Sequence, residues 1–242
     1  MKEAQLKAFV SDLQTEMFPG AAALIITGSA SRGEMHEKSD LDVIVVYRKV
    51  LNPHYRAFVF KGRPIDANVH DFASLAKRIF DTDRRSGNPF YVWAVKTGLL
   101  MPEIPELKKL KSEAERIWKE GPFKLQDDRV NSAKVVLLRR MNQFQFERGF
   151  SERTVVASTV YDLISLLYLS GRGLWVPTSG LSVVRVLRRQ APEMVDRMEL
   201  AFGAYWKTGD TKPVEALVQE VVAANGGPPV IDYREIIYDN AS

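Results

Sequence analysis

The chain has 242 residues, with a hydrophobic fraction of 45%, a charged fraction of 26% and a formal net charge of +4. This length suits one large domain or two modest ones, and the apolar content is enough for a core that needs no disulfide or structural metal. The sequence contains no cysteine, which excludes a thiolate nucleophile and Cys-ligated zinc and fits a reducing cytoplasm, the expected location. The charge is only mildly basic, so it gives no strong nucleic-acid signal.

No segment predicts a secretion signal or a membrane anchor. The stretch from Met1 to Met17 alternates charged and apolar residues, unlike a signal peptide. The most apolar window, Thr154 to Leu169, contains Asp162 and is too short to span a bilayer. We therefore interpret that window as a buried helix and expect no membrane partner.

The first third of the chain predicts a small mixed sheet covered by helices. Apolar residues recur at helical spacing up to Met17, and Pro19-Gly20 ends that helix. Further along the chain, Lys61-Gly62 indicates a hairpin turn. Asp71 is well placed to cap the helix that follows it. The predicted elements are a helix over residues 6–17, a strand over 21–27, a short helix over 30–35, strands over 40–47, 56–60 and 63–70, and a helix over 72–80.

The rest of the chain predicts helices almost throughout. The predicted helices cover residues 106–118, 128–148, 152–170, 181–190, 192–206 and 213–224, with a loop from Gly171 to Gly180. Pro102 and Pro105 interrupt the chain where the composition changes. We predict an α+β fold with a catalytic domain over residues 1–105, followed by an all-α domain over 106–242 that binds the acceptor.

A phosphate-binding turn is predicted where the first strand ends. Gly28-Ser29 follows that strand and opens a short helix. A glycine lets the backbone approach a phosphate closely, and helix N-terminal amides with a serine hydroxyl favour negative charge. Arg32, one turn further, is a candidate donor to a phosphate oxygen, with a solvated surface role as the alternative.

Two carboxylates begin the next strand. Asp40 and Asp42 are two residues apart, so their side chains emerge on one face of the strand, roughly 7 Å apart along the chain. Such a pair can share two Mg²⁺ ions held about 4 Å apart, as two-metal phosphoryl transfer requires. A simple cap by Asp40 and an exposed Asp42 is the structural alternative.

A third carboxylate lies on the strand after the hairpin. Asp66 alternates there with Ile65 and Ala67, so it faces the opposite side from these apolar residues. If this strand pairs with the strand of residues 40–47, Asp66 completes a three-carboxylate cluster. It would then bind the second metal or take the proton from an attacking hydroxyl. Asp71 is the competing candidate for this role.

These features together resemble the DNA polymerase β-type nucleotidyltransferases. The resemblance is carried by Thr27-Gly28-Ser29, by Asp40-Leu41-Asp42-Val43 after ten intervening residues, and by a later Asp on a strand. The bacterial aminoglycoside-type enzymes, in which a helical domain follows the catalytic one, are the most similar subgroup. The motif match covers residues 24 to 71.

The resemblance implies transfer of a nucleoside monophosphate from a Mg²⁺-bound nucleoside triphosphate, with ATP the expected donor and pyrophosphate released. The expected acceptor is a hydroxyl of a small molecule, such as an aminoglycoside-like antibiotic. For such a polycation the scattered carboxylates Glu147, Glu152 and Asp162 are the available partners. A protein or tRNA acceptor and a non-catalytic nucleotide-binding module of the same fold stay open as alternatives.

The helical half offers weaker signals. Trp175 is placed to stack on a base or sugar, or simply to pack between helices. Lys134, Arg139 and Arg140 lie on one predicted helix, and one of them could reach the triphosphate.

Overall fold

The computed structural model describes residues 3–146, 149–176 and 180–230. These residues form two compact units, one of residues up to 84 together with 89–121, the other of 85–88 together with residues from 122 onward. The first unit contains the sheet, and the second is helical. The predicted α+β fold class, a mixed sheet with helices followed by a helical region, is confirmed.

The elements up to residue 121 are helices and five strands. The helices are α1 (Glu3–Met17), α2 (Gly28–Ser31), α3 (Phe72–Lys77), α4 (Asp83–Ser86), α5 (Phe90–Thr97) and α6 (Pro105–Glu120). The strands are β1 (Ala23–Ile26), β2 (Leu41–Tyr47), β3 (His54–Phe60), β4 (Arg63–Asp71) and β5 (Leu99–Met101). A single π-helical turn, Arg78–Thr82, joins α3 to α4. Helix α6 belongs to the first unit. The predicted division into a catalytic domain over residues 1–105 and an acceptor-binding domain over 106–242 stays a prediction.

The five strands form one mixed sheet in the order β3-β4-β2-β1-β5. The central pair, β2 and β4, is parallel and places Asp42 opposite Asp66. The other neighbours are antiparallel, including the predicted hairpin of β3 and β4. Lys61 and Gly62 both adopt positive φ, 46° and 78°, which is the geometry of a tight two-residue hairpin turn.

One face of the sheet forms the core beneath the site. Leu41, Val43 and Val45 of β2 and Ile65 of β4 are at most 1% exposed and pack with α1. Their strand neighbours, one residue along, face the other way because side chains alternate along a strand. This alternation directs Asp42 and Asp66 away from the core, as the sequence predicts.

Asp71 caps α3 as predicted. Its carboxylate accepts a hydrogen bond from the Ser74 backbone N–H at 2.8 Å, and the Ser74 hydroxyl accepts one from the Asp71 backbone N–H at 3.1 Å. The Val50 backbone N–H donates to the second carboxylate oxygen at 3.3 Å. These bonds lower the pKa of Asp71, the Ser74 contacts most, and they engage Asp71 in the fold rather than in the carboxylate cluster.

Within the described residues, the helical unit contains five long helices. They are α7 (Asp127–Phe144), α8 (Phe150–Ser170), α9 (Leu181–Gln190), α10 (Pro192–Thr208) and α11 (Lys212–Ala224). The apolar window predicted to be a buried helix lies in α8. Among the helices of the described ranges, none combines the length and apolar character needed to cross a bilayer.

The sequence predicted no helix or strand between residues 81 and 105. One residue of this segment makes the stability of the fold depend on pH. Asp83 is 4% exposed and accepts a hydrogen bond from the Val92 backbone N–H at 2.8 Å. Burial raises the pKa of Asp83 to about 7 and outweighs the backbone bonds and Arg78, which lower it. The folded chain therefore keeps this proton at pH values where the unfolded chain has released it.

Asp83→Asn should flatten the pH dependence of folding. A raised folded pKa contributes stability below the unfolded value of 3.8, and this contribution is lost as pH rises towards about 7. The asparagine does not titrate. As pH rises across that window, the free energy of unfolding of the variant should therefore increase relative to that of the wild type by on the order of 1.4 kcal/mol per pH unit. Urea denaturation of both proteins between pH 4.5 and about 8 measures the difference, and parallel stability curves would contradict the assignment.

Candidate active site

The turn after β1 brings the backbone against Asp42. The Thr27 backbone N–H donates to the carbonyl oxygen of Asp42 at 2.9 Å, which ties this turn to β2. Gly28 has a φ of +65°, and a Cβ built on it would lie 1.9 Å from Asp42 Oδ2. Only glycine fits here, both for its backbone conformation and for the space that the Asp42 carboxylate occupies.

Asp40, Asp42 and Asp66 come together as the sequence predicts. Asp42 and Asp66 lie opposite each other on parallel strands, and Asp40 directly precedes β2. One carboxylate oxygen from each residue lies within 4.8 Å of those of the other two. Asp40 is exposed, whereas Asp42 and Asp66 are half-buried, so the cluster opens to solvent on one side.

The carboxylates repel one another in the absence of a cation. Burial raises the pKa of Asp42, the charges of Asp40 and Asp66 raise it further, and Arg32 acts in the opposite direction. A cluster of this kind is stabilised by positive charge. Three hard oxygen ligands in one opening fit a divalent cation of the Mg²⁺ type.

Hydrogen bonds from Arg63 hold the loop that leads into Asp40. The Arg63 guanidinium donates to the carbonyl oxygens of Ser39 at 2.6 Å and His36 at 3.4 Å. The Ser39 hydroxyl accepts a hydrogen bond from the His36 backbone N–H at 2.9 Å. The exposed Asp40 thus follows a loop that is fixed to β4, the strand that carries Asp66.

A profile of the nucleotidyltransferase domain family matches residues 4–136, more than half of the chain. The chain belongs to this family. No curated protein sequence matches it. Among solved structures, a nucleotidyltransferase-like protein from Exiguobacterium sibiricum matches with 14% sequence identity and a TM-score of 0.46, over 91% of this chain and 77% of its own.

The three residues predicted to bind the nucleotide lie around α2 of the nucleotidyltransferase domain. Gly28 and Ser29 begin α2 next to Asp42, and Ser29 is half-buried. Arg32 follows the helix and its Nε donates to Glu34 Oε2 at 2.7 Å. The predicted contact between Arg32 and a phosphate stays a prediction.

Tyr55 is a residue near the carboxylates that the sequence patterns do not indicate. It lies on β3, and its hydroxyl donates to Asp66 Oδ1 at 2.6 Å. This hydrogen bond raises the pKa of Tyr55 above its usual value. The predicted strand began at Arg56, so Tyr55 fell in the preceding loop.

His70 lies further along the site face of β4 and is buried. It is 2% exposed, its Nδ1 is 3.2 Å from the Ser74 hydroxyl and its Nε2 is 3.1 Å from the Tyr91 hydroxyl. The Tyr91 hydroxyl also donates to Asn68 Oδ1 at 3.3 Å. Burial is the main cause that lowers the pKa of His70, to about 4, so it is neutral at physiological pH.

In the helical unit, two predicted candidates have structural partners. Lys134 is buried and donates to the carbonyl oxygens of Asn225 at 3.3 Å and Gly227 at 3.0 Å, at the end of α11. Trp175 is 1% exposed, and its backbone exchanges two hydrogen bonds with the Gln190 side chain. Trp175 is therefore packed in the interior of the protein, which is the second of the two roles predicted for it.

Gly28→Ala should weaken both folding and cation binding. The left-handed backbone costs an alanine about 1–2 kcal/mol, and the methyl group forces the Asp42 carboxylate out of its position. We expect a lower melting temperature and at least a tenfold loss of Mn²⁺ affinity, because even the loss of a group that only orients a metal ligand typically costs about 10 to 100-fold. Calorimetric titration and thermal denaturation measure the two effects.

Gly33→Ala is the matched control. Gly33 has a similar φ of +71°, but a Cβ there would meet nothing within 4 Å. This variant should show the backbone cost alone and keep the Mn²⁺ affinity of the wild type. Equal Mn²⁺ affinity in Gly28→Ala and Gly33→Ala would contradict the role given to Gly28.

Proposed function

We propose that the protein transfers a nucleoside monophosphate from a Mg²⁺-bound nucleoside triphosphate to a hydroxyl of a small-molecule acceptor and releases pyrophosphate. ATP is the expected donor. The observation that carries the proposal is the cluster of Asp40, Asp42 and Asp66 within 4.8 Å in a chain of the nucleotidyltransferase domain family. The acceptor oxygen would form a bond to the α-phosphorus as the bond to pyrophosphate breaks.

The proposal gives the three carboxylates different roles. Asp40 and Asp42 would hold the nucleotide's metal. Asp66 would complete the cluster on the acceptor side, where it binds the second metal or receives the proton of the attacking hydroxyl. Gly28 lies against Asp42, and Ser29 follows it in α2. Both would contact the triphosphate, with Arg32 adding a positive charge. A divalent cation bound by these carboxylates would neutralise the charge that develops on the phosphates and lower the pKa of the acceptor hydroxyl.

The helical unit contains a cleft of about 670 Å³, which is large enough for a small molecule. Sites for small molecules commonly measure about 300–1,000 Å³. Its described lining includes Glu152 and Arg153 as well as Tyr205 and Thr208, so it carries both signs of charge. Among the predicted carboxylate partners of an aminoglycoside, Glu152 caps the Gly149 backbone N–H at 3.2 Å, and Glu147 lies outside the described residues.

A panel experiment tests the proposal. The full chain with Mg²⁺ is incubated with each of the four common nucleoside triphosphates and with aminoglycosides, neutral sugars, tRNA or a protein extract. We expect acceptor-dependent pyrophosphate release, and transfer of α-labelled nucleotide to a small molecule, with ATP giving the highest rate.

The other outcomes separate the alternatives. Transfer only to tRNA or to protein would overturn the small-molecule acceptor and keep the reaction class. Tight, Mg²⁺-dependent nucleotide binding without transfer to any acceptor would indicate a non-catalytic nucleotide-binding module. Asp42→Asn serves as the background in every assay.

A further inference from the structure

Tyr55 reaches the carboxylate cluster from the edge of the sheet. On the hairpin, Tyr55 pairs with Asn68 and Ala57 pairs with Asp66. Tyr55 is therefore the diagonal neighbour of Asp66 on the same face of the sheet, a spacing that an aromatic side chain can bridge. The hydroxyl-to-carboxylate distance of 2.6 Å is that of a strong, charge-assisted hydrogen bond.

The position of Tyr55 is not explained by core packing. The side chain is 59% exposed on an edge strand, so its ring contributes little apolar burial. Its hydroxyl contacts one of the two oxygens of Asp66, and a carboxylate held at one oxygen has restricted rotation about its terminal bond. The cluster also requires an oxygen of Asp66 to lie within 4.8 Å of Asp40 and Asp42.

We propose that Tyr55 is a positioning residue, whose hydroxyl holds the Asp66 carboxylate in the orientation that faces Asp40 and Asp42. This inference rests on the proposed nucleotidyl transfer for its kinetic consequence, but not for its consequence for cation binding. Hydrogen bonds to metal-ligating carboxylates orient the ligand, and their removal typically costs about 10 to 100-fold in metal affinity or activity.

The test is Tyr55→Phe in the full chain, with Tyr47→Phe as the matched control. Tyr47 lies on β2, which β4 separates from β3, and it packs against the core cluster on the opposite face of the sheet. Tyr55→Phe should lower kcat by about 10 to 100-fold and weaken Mn²⁺ binding measured without nucleotide by about tenfold or more. The KM for the nucleotide should change little, because Asp40 and Asp42 stay in place, and Tyr47→Phe should match the wild type in kcat and Mn²⁺ affinity.

Two results would overturn the inference while leaving the proposed function intact. One is an active Tyr55→Phe variant with wild-type kcat and Mn²⁺ affinity. The other is a nucleotide covalently attached to Tyr55 after incubation of the wild type with Mg²⁺ and nucleoside triphosphate, detected by mass spectrometry, since the hydroxyl would then be an acceptor. If the wild type transfers no nucleotide, the proposed function fails, and the Mn²⁺ titration alone decides the role of Tyr55.

Discussion

Asp42→Asn is expected to abolish nucleotide transfer while the fold survives. Asp42 is the carboxylate against which the Gly28 backbone packs and the one opposite Asp66 on the paired strand. An asparagine of nearly the same shape keeps the packing but removes the negative charge on which cation binding depends. Turnover should fall to the background of the assay, and circular dichroism should stay unchanged.

The same substitution should raise the melting temperature in the absence of divalent cations. The pKa of Asp42 is raised in the folded chain by burial and by Asp40 and Asp66. The ionised carboxylate therefore costs stability at pH values above its usual range, and the stability that protonation contributes at low pH is lost as pH rises through the folded pKa. Asparagine removes this cost.

With added Mg²⁺, the wild type should have a higher melting temperature than Asp42→Asn. A ligand at 100 times its Kd stabilises the folded state by about 2.7 kcal/mol, and only the wild type should gain this. Thermal denaturation with and without Mg²⁺ measures both effects, with Asp71→Asn as the control substitution on β4. Wild-type turnover in Asp42→Asn, or equal stabilisation of both proteins by Mg²⁺, would contradict the assignment of Asp42 to the metal.

The sequence was sufficient to predict the carboxylate cluster because each part of it follows from local rules. Alternation along β2 directs Asp42 away from the core residues Leu41 and Val43, and alternation along β4 does the same for Asp66. Only the pairing of the two strands had to be assumed, and the register Asp42 opposite Asp66 confirms it.

The surroundings of the cluster could not be predicted in the same way, because they depend on elements with weak local signals. Helix α5, Phe90–Thr97, has eight residues and apolar side chains around much of its circumference, so it shows little amphipathic period. Tyr91 on this helix contacts His70, so a partner of this buried histidine lies on an element that the sequence did not predict.

The contact between Tyr55 and Asp66 was missed for another reason. The first residues of β3 are exposed, so hydrophobic alternation does not mark where this edge strand begins. Propensity and pattern place strand ends only to within a few residues, roughly 2–4. An error of two residues at His54 was enough to leave Tyr55 off the sheet and away from the site.

Asp66→Asn should separate binding from chemistry. If Asp40 and Asp42 hold the nucleotide's metal and Asp66 acts on the acceptor side, the variant keeps nucleotide affinity in Mg²⁺ within a few-fold of wild type. The loss should appear in the chemical step, which general-base catalysis speeds by about 10² to 10⁴-fold. Calorimetry of nucleotide binding and single-turnover kinetics on the same protein measure the two quantities.

Asp71→Asn is the control that decides which carboxylate of β4 belongs to the site. Asp71 accepts hydrogen bonds from the backbone N–H groups of Ser74 and Val50, and an asparagine oxygen can accept from Ser74 in the same way. Its turnover should therefore match the wild type. Two results would show that Asp66 does not have the role proposed for it. One is equal loss of nucleotide affinity in Asp66→Asn and Asp42→Asn. The other is normal turnover in Asp66→Asn combined with loss of turnover in Asp71→Asn.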